Sequence, residues 1–574
     1  MIASSPLKIN HKTMKTKILI ALLGFATLTV TYSCSKLEEN VLDEASVVGL
    51  TDKQQAEGII APVYAKLEDV FLHTNYFALQ EISTDEAILP YRGGTDWGDN
   101  GIYLQLHQHA NISSDANVRN TWNNIVTGIS RSVTAINSLS TNPDPSAKLF
   151  LAEARGMRAY YNLLMLDLFG LVFIKEDASE TSKILRGEAA IGYIKSELLA
   201  IEPVVENTTG PGRITKGAVW GLLARLHMNA AVYRDVYATS FTFKTEDMDA
   251  AIDYCNRIIN SGQYNLAADY FSLFNDNNHN NKELIFAVDQ RADLNGHNRL
   301  AYFSISGDQF PLPAYTGSNG TDGPAITSDF YRTWVNAYAP LDPAAADPRF
   351  SKQNVPQVTS CVDAAAFNMN RGILRGQQYG LKRVTTNGVV SFVKCPDGKM
   401  QVDKLFYDTR SRPTLAVDFT EQVDFTIAGS NYNTGYRVLK YEFSKTSVSG
   451  RNFGEHDIII LRLADIYLMR AEAKLRKNDA TALADVNIVR ASRTASTPAP
   501  PLPAITLDLL FRERGFEFYW EMLRRTDMIR FGKYEGTWTE KTNTDVRKRL
   551  FPIPQTAMDG ASNLPGYLVQ NAGY

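Results

Sequence analysis

The sequence has little cysteine, no marked excess of either charge and no apolar run long enough to cross a membrane. Four cysteines in 574 residues are too few for a disulfide-based scaffold. The 59 basic and 62 acidic side chains give a formal net charge of −3, so the strongly basic surface of a nucleic-acid-binding protein is not expected. No stretch reaches the ~18 consecutive apolar residues of a transmembrane helix. The 44% apolar content is that of an ordinary globular protein with a large core.

The N-terminal segment is typical of an export signal rather than of folded structure. Lys15 and Lys17 precede the apolar run ILIALLGFATLTV (18–30), which has 13 residues. Positive charge followed by an apolar run of this length is the pattern of a secretory signal peptide, and the run is too short to span a bilayer. We therefore predict that the chain is exported.

The residues that follow this run resemble a lipoprotein processing site. Small Ser33 directly precedes Cys34, and in lipoproteins such a cysteine is acylated and becomes the new N-terminus. We predict a signal peptide over 1–33, lipidation at Cys34 and a linker over 34–50. Cleavage would remove four lysines and no acidic residue, so the mature chain would carry a formal charge of −7. Secretion with an unmodified Cys34 is the alternative.

Besides Cys34, the mature chain contains three cysteines. Cys361 and Cys395 both lie in a loop-rich region, and they could pair in an oxidising compartment. Cys255 falls in the helical pattern AIDYCNRIIN and is predicted to be a buried free thiol. The sequence leaves open whether Cys361 and Cys395 are bonded.

The first half of the chain is predicted to be helical. Over 151–169, apolar residues recur at steps of three and four, which is the spacing of one helical face, and Gly170 follows as a stop signal. Similar spacing predicts further helices over 52–72, 117–139, 191–201, 214–231 and 247–259. Helices recurring at this period are typical of tetratricopeptide pairs, although the consensus of that repeat is absent. We predict a helical region over 51–282 and an all-α fold built from degenerate helix pairs.

The pattern changes over 283–450. Gly, Pro, Asn and Thr interrupt short apolar runs such as LIFAV and GYRVLKY, which indicates loops with a few short strands and one helix over 327–336. A loop-rich insert of this size in a compact protein is usually functional. We therefore predict that this insert is variable and binds the ligand.

Helical spacing returns over 451–574. It predicts helices over 457–476, 480–493 and 508–531. A proline-rich loop that contains Pro498, Pro500, Pro501 and Pro503 separates the last two helices.

Motifs along the whole mature chain resemble the SusD/RagB family of outer-membrane glycan-binding lipoproteins. The C-terminal motifs are DIIILRLADIYLMRAEAKLR (457–476), LLFRERGFEFYWEMLRRTDMIRFGKY (509–534) and LFPIPQTAM (550–558). The N-terminal motifs, in the family's order, are EISTDEA (81–87), AEARGMRAYYNLLMLDLFG (152–170) and GRITKGAVWGLLARLHMNAA (212–231). Single motifs are weak, but their common order together with the lipoprotein start is specific.

The resemblance implies a fold and a function together. The implied fold is all-α, with four tetratricopeptide-like helix pairs and a loop-rich flank. The implied protein is lipid-anchored on the outer membrane and exposed at the cell surface. It captures oligosaccharides or polysaccharides and delivers them to a SusC-like TonB-dependent transporter, which it covers as a lid. It is not an enzyme, and no cofactor is implied. A binder of peptides or another nutrient on the same scaffold is the alternative.

Three carboxylates in the last predicted helix invite a catalytic interpretation. Glu513, Glu517 and Glu521 are spaced so that they stack on one helix face, and paired carboxylates are the groups that hydrolyse glycosidic bonds. Like charges at this spacing repel unless cations lie beside them. Arginines such as Arg462 and Arg490 lie on predicted helices nearby. We predict a structural ion network, with a surface hydrolase as the minor alternative.

A polar segment, NDNNHNNKE (275–283), offers oxygen ligands for a cation. It lacks the mid-loop glycine of an EF-hand, and the chain has no Cys-x-x-Cys or His-x-x-x-His spacing. We predict a surface turn there and no metal site.

The segment ILPYRGGTDWGDNGIY (88–103) is the strongest candidate for ligand contact. Tyr91, Arg92, Asp96 and Trp97 crowd into a glycine-rich loop without apolar periodicity, so Trp97 has no evident core to join. A flat aromatic ring stacks against the C–H face of a sugar, and planar polar groups bind its hydroxyls. We predict that these four residues bind the ligand; local packing of Trp97 within the loop is the alternative.

The insert adds two aromatic candidates. Tyr315 lies in the glycine-rich sequence PAYTGSNGTDG, and Trp334 lies on a predicted helix beside Phe330. Both are predicted ligand-binding residues, although for Trp334 a place in the core is at least as consistent with its neighbours. No family motif assigns these positions residue by residue.

Overall fold

The computed structural model describes residues 50–93, 101–177, 179–207, 210–290, 299–301, 303–309, 320–387, 389–426, 430–442 and 456–574. Residues 52–574 belong to one compact unit. The predicted signal peptide, Cys34 and nearly all of the predicted linker lie outside the described residues. Among the helices that the structure describes, none has the length and apolar character that a membrane span requires.

Helices dominate the regular structure, as predicted, and the strands are short. The α-helices are α1 (Asp52–Val70), α2 (Ile102–His107), α3 (Ala116–Ser140), α4 (Ala147–Phe169), α5 (Gly187–Ile201), α6 (Lys216–Arg234), α7 (Thr245–Asn260), α8 (Ser328–Tyr338), α9 (Pro343–Ala346), α10 (Leu463–Arg476), α11 (Ala482–Ala491), α12 (Leu507–Phe518), α13 (Arg524–Arg530) and α14 (Gln555–Gly560). The six helices predicted in the first half are all present, with ends displaced by no more than about one turn.

The long helices pack against one another in succession, as stacked helix pairs do. Helix α1 packs on α3 and α4, and α3 packs on α4. Helix α4 packs on α5, α5 on α6, and α6 on α7. Helix α7 then packs against α10, which packs against α11. The array therefore continues directly from α7 to α10, and the insert leaves it and returns between these two helices. Gly170, with a φ of 70°, ends α4 as the sequence indicates.

The strands lie mainly in the insert and form sheets of two or three strands. They are β1 (Ala87–Ile88), β2 (Val172–Ile174), β3 (Lys183–Leu185), β4 (Leu284–Val288), β5 (Ala325–Ile326), β6 (Ser351–Lys352), β7 (Ser360–Val362), β8 (Arg371–Leu374), β9 (Gly376–Gln377), β10 (Tyr379–Leu381), β11 (Arg383–Thr386), β12 (Val389–Phe392), β13 (Met400–Lys404), β14 (Phe406–Tyr407), β15 (Arg412–Ala416), β16 (Asp418–Phe419), β17 (Arg437–Leu439) and β18 (Ile458–Arg462).

Two of these sheets organise the insert. In the first, β8 lies between β17 and β6, with antiparallel pairs Val438 to Ile373 and Ser351 to Gly372. In the second, β13 lies between β10 and β7. Cys361 on β7 forms a disulfide with Cys395, so the pairing that the sequence left open is made. Cys255 is buried and free, as predicted.

Two predicted C-terminal helices differ from the structure. The segment 457–476 begins with strand β18, which pairs antiparallel with β4, before α10 starts at Leu463. An apolar run of β-branched residues fits a buried strand as well as a helix, so periodicity alone did not separate them. The segment 508–531 is divided into α12 and α13, because Trp520 and Met522 take positive φ angles of 64° and 60° that no helix accommodates.

Candidate functional site

The predicted ligand loop leaves the protein core at strand β1. This strand pairs antiparallel with β5, with Ala87 opposite Ile326, and thereby fixes the start of the loop against the insert. Tyr91 follows and is half-buried at the surface. Asp96 and Trp97 lie outside the described residues, so the structure describes the base of this loop.

Arg92 is predicted to bind the ligand, but the structure buries its side chain, which has 0% exposure. Its Nε donates to the carbonyl oxygens of Asp322 at 3.0 Å and Gly323 at 3.2 Å, and its Nη1 donates to the carbonyl of Asn431 at 3.1 Å. Nη1 also donates to the carbonyl of Thr434. Burial lowers the pKa of this guanidinium. Arg92 therefore binds three chain segments together beneath the loop and is a positioning residue.

Gly93 lies directly against an aromatic ring. It has a φ of +56°, and a Cβ atom at this position would lie 2.3 Å from Cε2 of Tyr432. The guanidinium carbons of Arg410 and Arg412 lie 5.1 and 5.0 Å from the centroid of the same ring. Arg412 also donates from Nη2 to the carbonyl of Gly93 at 3.3 Å. We call Tyr91, Gly93, Arg410, Arg412 and Tyr432 the Gly93 surface.

Buried carboxylates fix the arginine side of the Gly93 surface. Arg410 Nε donates to Asp322 Oδ2 at 3.0 Å. Burial raises the pKa of the Asp322 carboxyl to about 6, although Arg410 opposes this. Asp308 accepts hydrogen bonds from the backbone N of Thr409 at 3.0 Å and from its Oγ1 at 2.6 Å. The turn that carries Arg410 is thus held by two acidic side chains before any ligand arrives.

The Gly93 surface combines planar hydrogen-bond donors with aromatic groups. Arg410 and Arg412 are half-buried, as is Tyr91, and each guanidinium offers several N–H donors in one plane. Adjacent hydroxyl oxygens of a sugar match such a planar pair, and an aromatic ring accepts the apolar face of the same sugar. The arrangement is therefore suited to hydroxyl-rich ligands.

Trp334 is a core residue, which corrects its prediction as a ligand contact. It lies on α8 with 0% exposure. Its ring stacks on that of Phe516, with centroids 3.7 Å apart and planes 16° apart. Phe330, one turn earlier, is also buried, so the helical spacing marks an inward face. Tyr315 lies outside the described residues.

The three glutamates of the C-terminal region form the predicted ion network. Glu517 accepts hydrogen bonds from Arg462 and Arg493, both at 2.6 Å, and from Arg349 at 3.0 Å. These guanidinium groups hold the pKa of Glu517 well below its usual range despite the burial that opposes them. Glu521 lies beyond the end of α12, where Lys440 binds it at 2.6 Å.

Glu513 completes the network, paired with Arg490 at 2.6 Å. All three carboxylates are almost fully buried. Arg349 and Lys440 belong to the insert, whereas the glutamates belong to the C-terminal region. The network therefore ties the insert to the helical array.

Among the described residues, two groups have metal-ligand chemistry at short range. The possible ligand atoms of His279, Asp289 and Asp457 lie within 4.8 Å of one another, but His279 Nδ1 and Asp457 Oδ2 are already hydrogen-bonded at 2.7 Å. The second group consists of Cys361, Cys395 and Asp397, and its two sulfur atoms are bonded to each other in the disulfide. The segment 275–283 contains a short 3₁₀ helix, Asn278–Asn280.

Sequence reasoning missed Arg410, Arg412 and Tyr432. Arg410 ends a three-residue 3₁₀ helix, Arg412 starts a five-residue strand and Tyr432 lies in a turn. Elements this short have no periodicity that reveals which side chains meet. The alternation of Arg410 and Arg412 with polar residues in DTRSRPT (408–414) is only a weak signal of a binding site. Their meeting with Gly93 depends on the return of the insert to β1, which only the fold shows.

Comparisons with known proteins agree with this architecture. A profile described as the SusD family matches residues 420–574. The starch-binding protein SusD of Bacteroides thetaiotaomicron is 28% identical over 447 residues, which cover 74% of this chain and 72% of that protein.

Solved structures show the same fold over most of the chain. A SusD homolog from Bacteroides thetaiotaomicron aligns with a TM-score of 0.63 and 18% identity, covering 91% of this chain and 97% of the homolog. Surface glycan-binding protein A from the same organism, in complex with laminarihexaose, aligns with a TM-score of 0.62 and 18% identity, covering 90% and 99%.

Proposed function

Since this chain belongs to the SusD family, we propose that it is a cell-surface protein that binds glycans without hydrolysing them. The observation that carries this proposal is the Gly93 surface. It places half-buried Tyr91 and two fixed guanidinium groups, those of Arg410 and Arg412, at the base of the loop 94–100. The relative named a starch-binding protein supports a carbohydrate as the ligand class.

The proposed contacts combine stacking with hydrogen bonding. Tyr91, Trp97 and Tyr315 are the proposed stacking residues, and Asp96 and the two arginines of the Gly93 surface are the proposed partners for hydroxyl groups. Each contact in such a site is weak, so affinity rises with the number of sugar units bound at once. Arg92 is not among the proposed contact residues; its buried side chain holds the loop in place.

The absence of catalysis is part of the proposal. The carboxylates that invite a hydrolytic interpretation are neutralised: Glu517 by three arginines, Glu513 by Arg490 and Arg349, and Glu521 by Lys440 and Arg462. A general acid must carry a proton to donate, and the arginines around Glu517 hold its pKa so low that this buried carboxyl group stays ionised. Turnover of a bound glycan that one carboxylate variant abolishes would contradict this part.

Localisation and partner are proposed from the sequence. The segment 1–33 and Cys34 support a lipid anchor, and the family supports delivery of the captured glycan to a SusC-like TonB-dependent outer-membrane transporter. Cys34→Ala should prevent lipid labelling and release the chain from the membrane fraction. The anchored chain should co-purify with such a transporter from native outer membranes. An unlabelled wild-type chain that is nonetheless secreted would contradict the anchor.

A binding panel tests the ligand class. The soluble chain starting at Ser35 is titrated against neutral and acidic oligosaccharides of several linkages and against a set of peptides. We expect saturable binding of at least one glycan class and none of the peptides. Binding of peptides alone would favour the nutrient-binding alternative and contradict the glycan proposal.

A further inference from the structure

A second cleft lies on the sheet of β17, β8 and β6, and it shares no lining residue with the Gly93 surface. Its volume is about 430 Å³, within the range of small-molecule sites. Its polar and aromatic lining residues include Ser351, Gln353, Asn370, Arg375, Gln378 and Tyr436. A neighbouring cavity of about 330 Å³ shares Ser351, Lys352 and Gln353 with it, so the two lie next to each other at β6.

A hydrogen-bonded network holds one wall of this cleft. Arg375 donates from Nη1 to the Tyr331 hydroxyl at 2.9 Å and from Nη2 to both oxygens of Asp342, at 2.8 and 3.0 Å. Its guanidinium also lies 4.8 Å from the ring centroid of Phe350. Tyr331 packs edge-to-face on Tyr436, with centroids 4.7 Å apart. Side chains fixed in this way are organised before a ligand binds.

Amide side chains form another part of the lining, and hydrogen bonds fix their planes. Gln378 Nε2 donates to the carbonyls of Arg375 at 3.0 Å and Gly376 at 2.9 Å. Asn370 Oδ1 accepts from the backbone N of Asn354 and of Val355, both at 2.8 Å. Planar amides beside a half-buried tyrosine present both the hydrogen-bonding groups and the flat apolar surface that a sugar ring requires.

The charges around the cleft indicate a neutral ligand. Arg375 is paired with Asp342, and Lys352 is paired with Asp269 at 2.6 Å. The third cation in the lining, Arg371, directs Nη2 to the carbonyls of Phe274 and Lys440. Each cation is thus already engaged by an oxygen of the protein, and an acidic ligand would gain little from them.

We propose that this cleft is a second carbohydrate subsite, which takes a neutral sugar unit of the glycan bound at the Gly93 surface or of another chain of the same polysaccharide. The inference rests on the proposed function, since it assumes that the protein binds glycans. Two subsites on one protein would raise the affinity for a polymer above that for a short oligosaccharide by holding it at two places at once.

The test compares a polymer with short oligosaccharides on the soluble chain starting at Ser35. The probes are starch, laminarin and xyloglucan, with maltohexaose, laminarihexaose and a xyloglucan heptasaccharide as their short counterparts. The cleft variants are Tyr436→Ala and the double variant Gln353→Ala/Gln357→Ala, in which both glutamines line the cleft and are exposed. Gln263→Ala, an exposed glutamine at the end of α7, is the matched control.

We expect the cleft variants to lose at least about tenfold in affinity for the polymer that the wild type binds, and to bind one short oligosaccharide per chain where the wild type binds two. Should Tyr436→Ala fail to fold, the glutamine variant decides. Polymer affinity equal to that of Gln263→Ala would overturn the cleft inference and leave the proposed function standing. A wild type that binds none of the six probes and no glycan of the binding panel would overturn both.

Discussion

The ring of Tyr432 lies against the backbone of Gly93, where a Cβ atom would be 2.3 Å from the ring carbon Cε2. This contact joins the predicted ligand loop to a residue more than three hundred positions later in the chain. The guanidinium groups of Arg410 and Arg412 pack over the same ring. The Tyr432 ring therefore contacts both the loop backbone and the two arginines, and a change at Gly93 should disturb both.

Gly93→Ala should destabilise the protein by about 1–3 kcal/mol, because alanine is strained at a φ of +56° and its methyl group overlaps the Tyr432 ring. Glycan affinity should fall with it, since the loop must move. Urea unfolding and a binding titration measure the two effects. Gly58→Ala is the control: Gly58 lies inside α1 with nothing within 4 Å of its added Cβ, so that variant should be slightly stabilised. Equal stability of the two variants would contradict the contact.

Arg92→Met should destabilise the protein by about 2–4 kcal/mol. The substitution keeps the apolar stem but removes the guanidinium that donates to the buried carbonyl groups of Asp322 and Gly323, and each buried carbonyl left without a donor is costly. Arg332→Met removes a guanidinium with 68% exposure that pairs with Glu421, and it should change the free energy of unfolding by no more than about 1 kcal/mol. Unfolding of both variants in urea tests the difference, and similar small effects would show that Arg92 does not anchor the loops.

Much of the fold could be predicted because its signals are local. The helices of the first half follow from apolar spacing along single segments. For Trp334, the spacing from Phe330 fits a core position at least as well as the predicted ligand contact, and the structure buries both residues. The sequence predicts a helix where the structure has strand β18, because a short run of isoleucine and leucine has no periodicity that distinguishes a strand from a helix. The break at Trp520 and Met522 depends on backbone angles that residue types do not reveal.

The candidate site was predictable only in part, for a physical reason. Composition located the loop around Tyr91, since aromatic and polar residues without periodicity stand out there. The different burial of Tyr91 and Arg92 could not be predicted, because which of two adjacent side chains turns inward depends on the segments packed beneath them. Arg410 and Arg412 reach Gly93 through pairing between distant segments, which leaves no mark on the local sequence.

Glu517→Gln should destabilise the protein by about 3–5 kcal/mol, since it leaves Arg462, Arg493 and Arg349 buried with less negative charge than they need. The control is Glu57→Gln, in which the residue lost is half exposed and lies 4.0 Å from Lys53. That variant should change the free energy of unfolding by less than about 1 kcal/mol. Thermal and urea unfolding compare them. A Glu517→Gln variant as stable as the wild type would contradict the stabilising role of the network.

Two buried carboxyl groups should make stability depend on pH. Burial, aided by Glu86, raises the pKa of Glu81 well above its usual value, and burial raises the pKa of Glu86 to about 7. The folded state therefore keeps protons that the unfolded state releases above about pH 4.5, and the free energy of unfolding should fall as pH rises from there through about 7. Glu81→Gln should flatten this dependence. Measuring the free energy of unfolding at intervals between pH 4.5 and 8 tests this prediction. Parallel curves for the variant and the wild type would contradict the assignment of the pH dependence to Glu81 and Glu86.

The central claim is that a glycan binds beside Gly93 through the aromatic residues of its loop. Isothermal titration of the glycan identified by the binding panel, into wild type, Tyr91→Ala/Trp97→Ala and the control Tyr567→Ala, tests it most directly. Tyr567 is half-buried near the C-terminus. We predict that the loop variant loses about 30-fold or more in affinity, as removal of a binding hot spot worth at least about 2 kcal/mol does, while the control binds like wild type. Unchanged affinity in a folded loop variant would contradict the claim and place the glycan elsewhere on the protein.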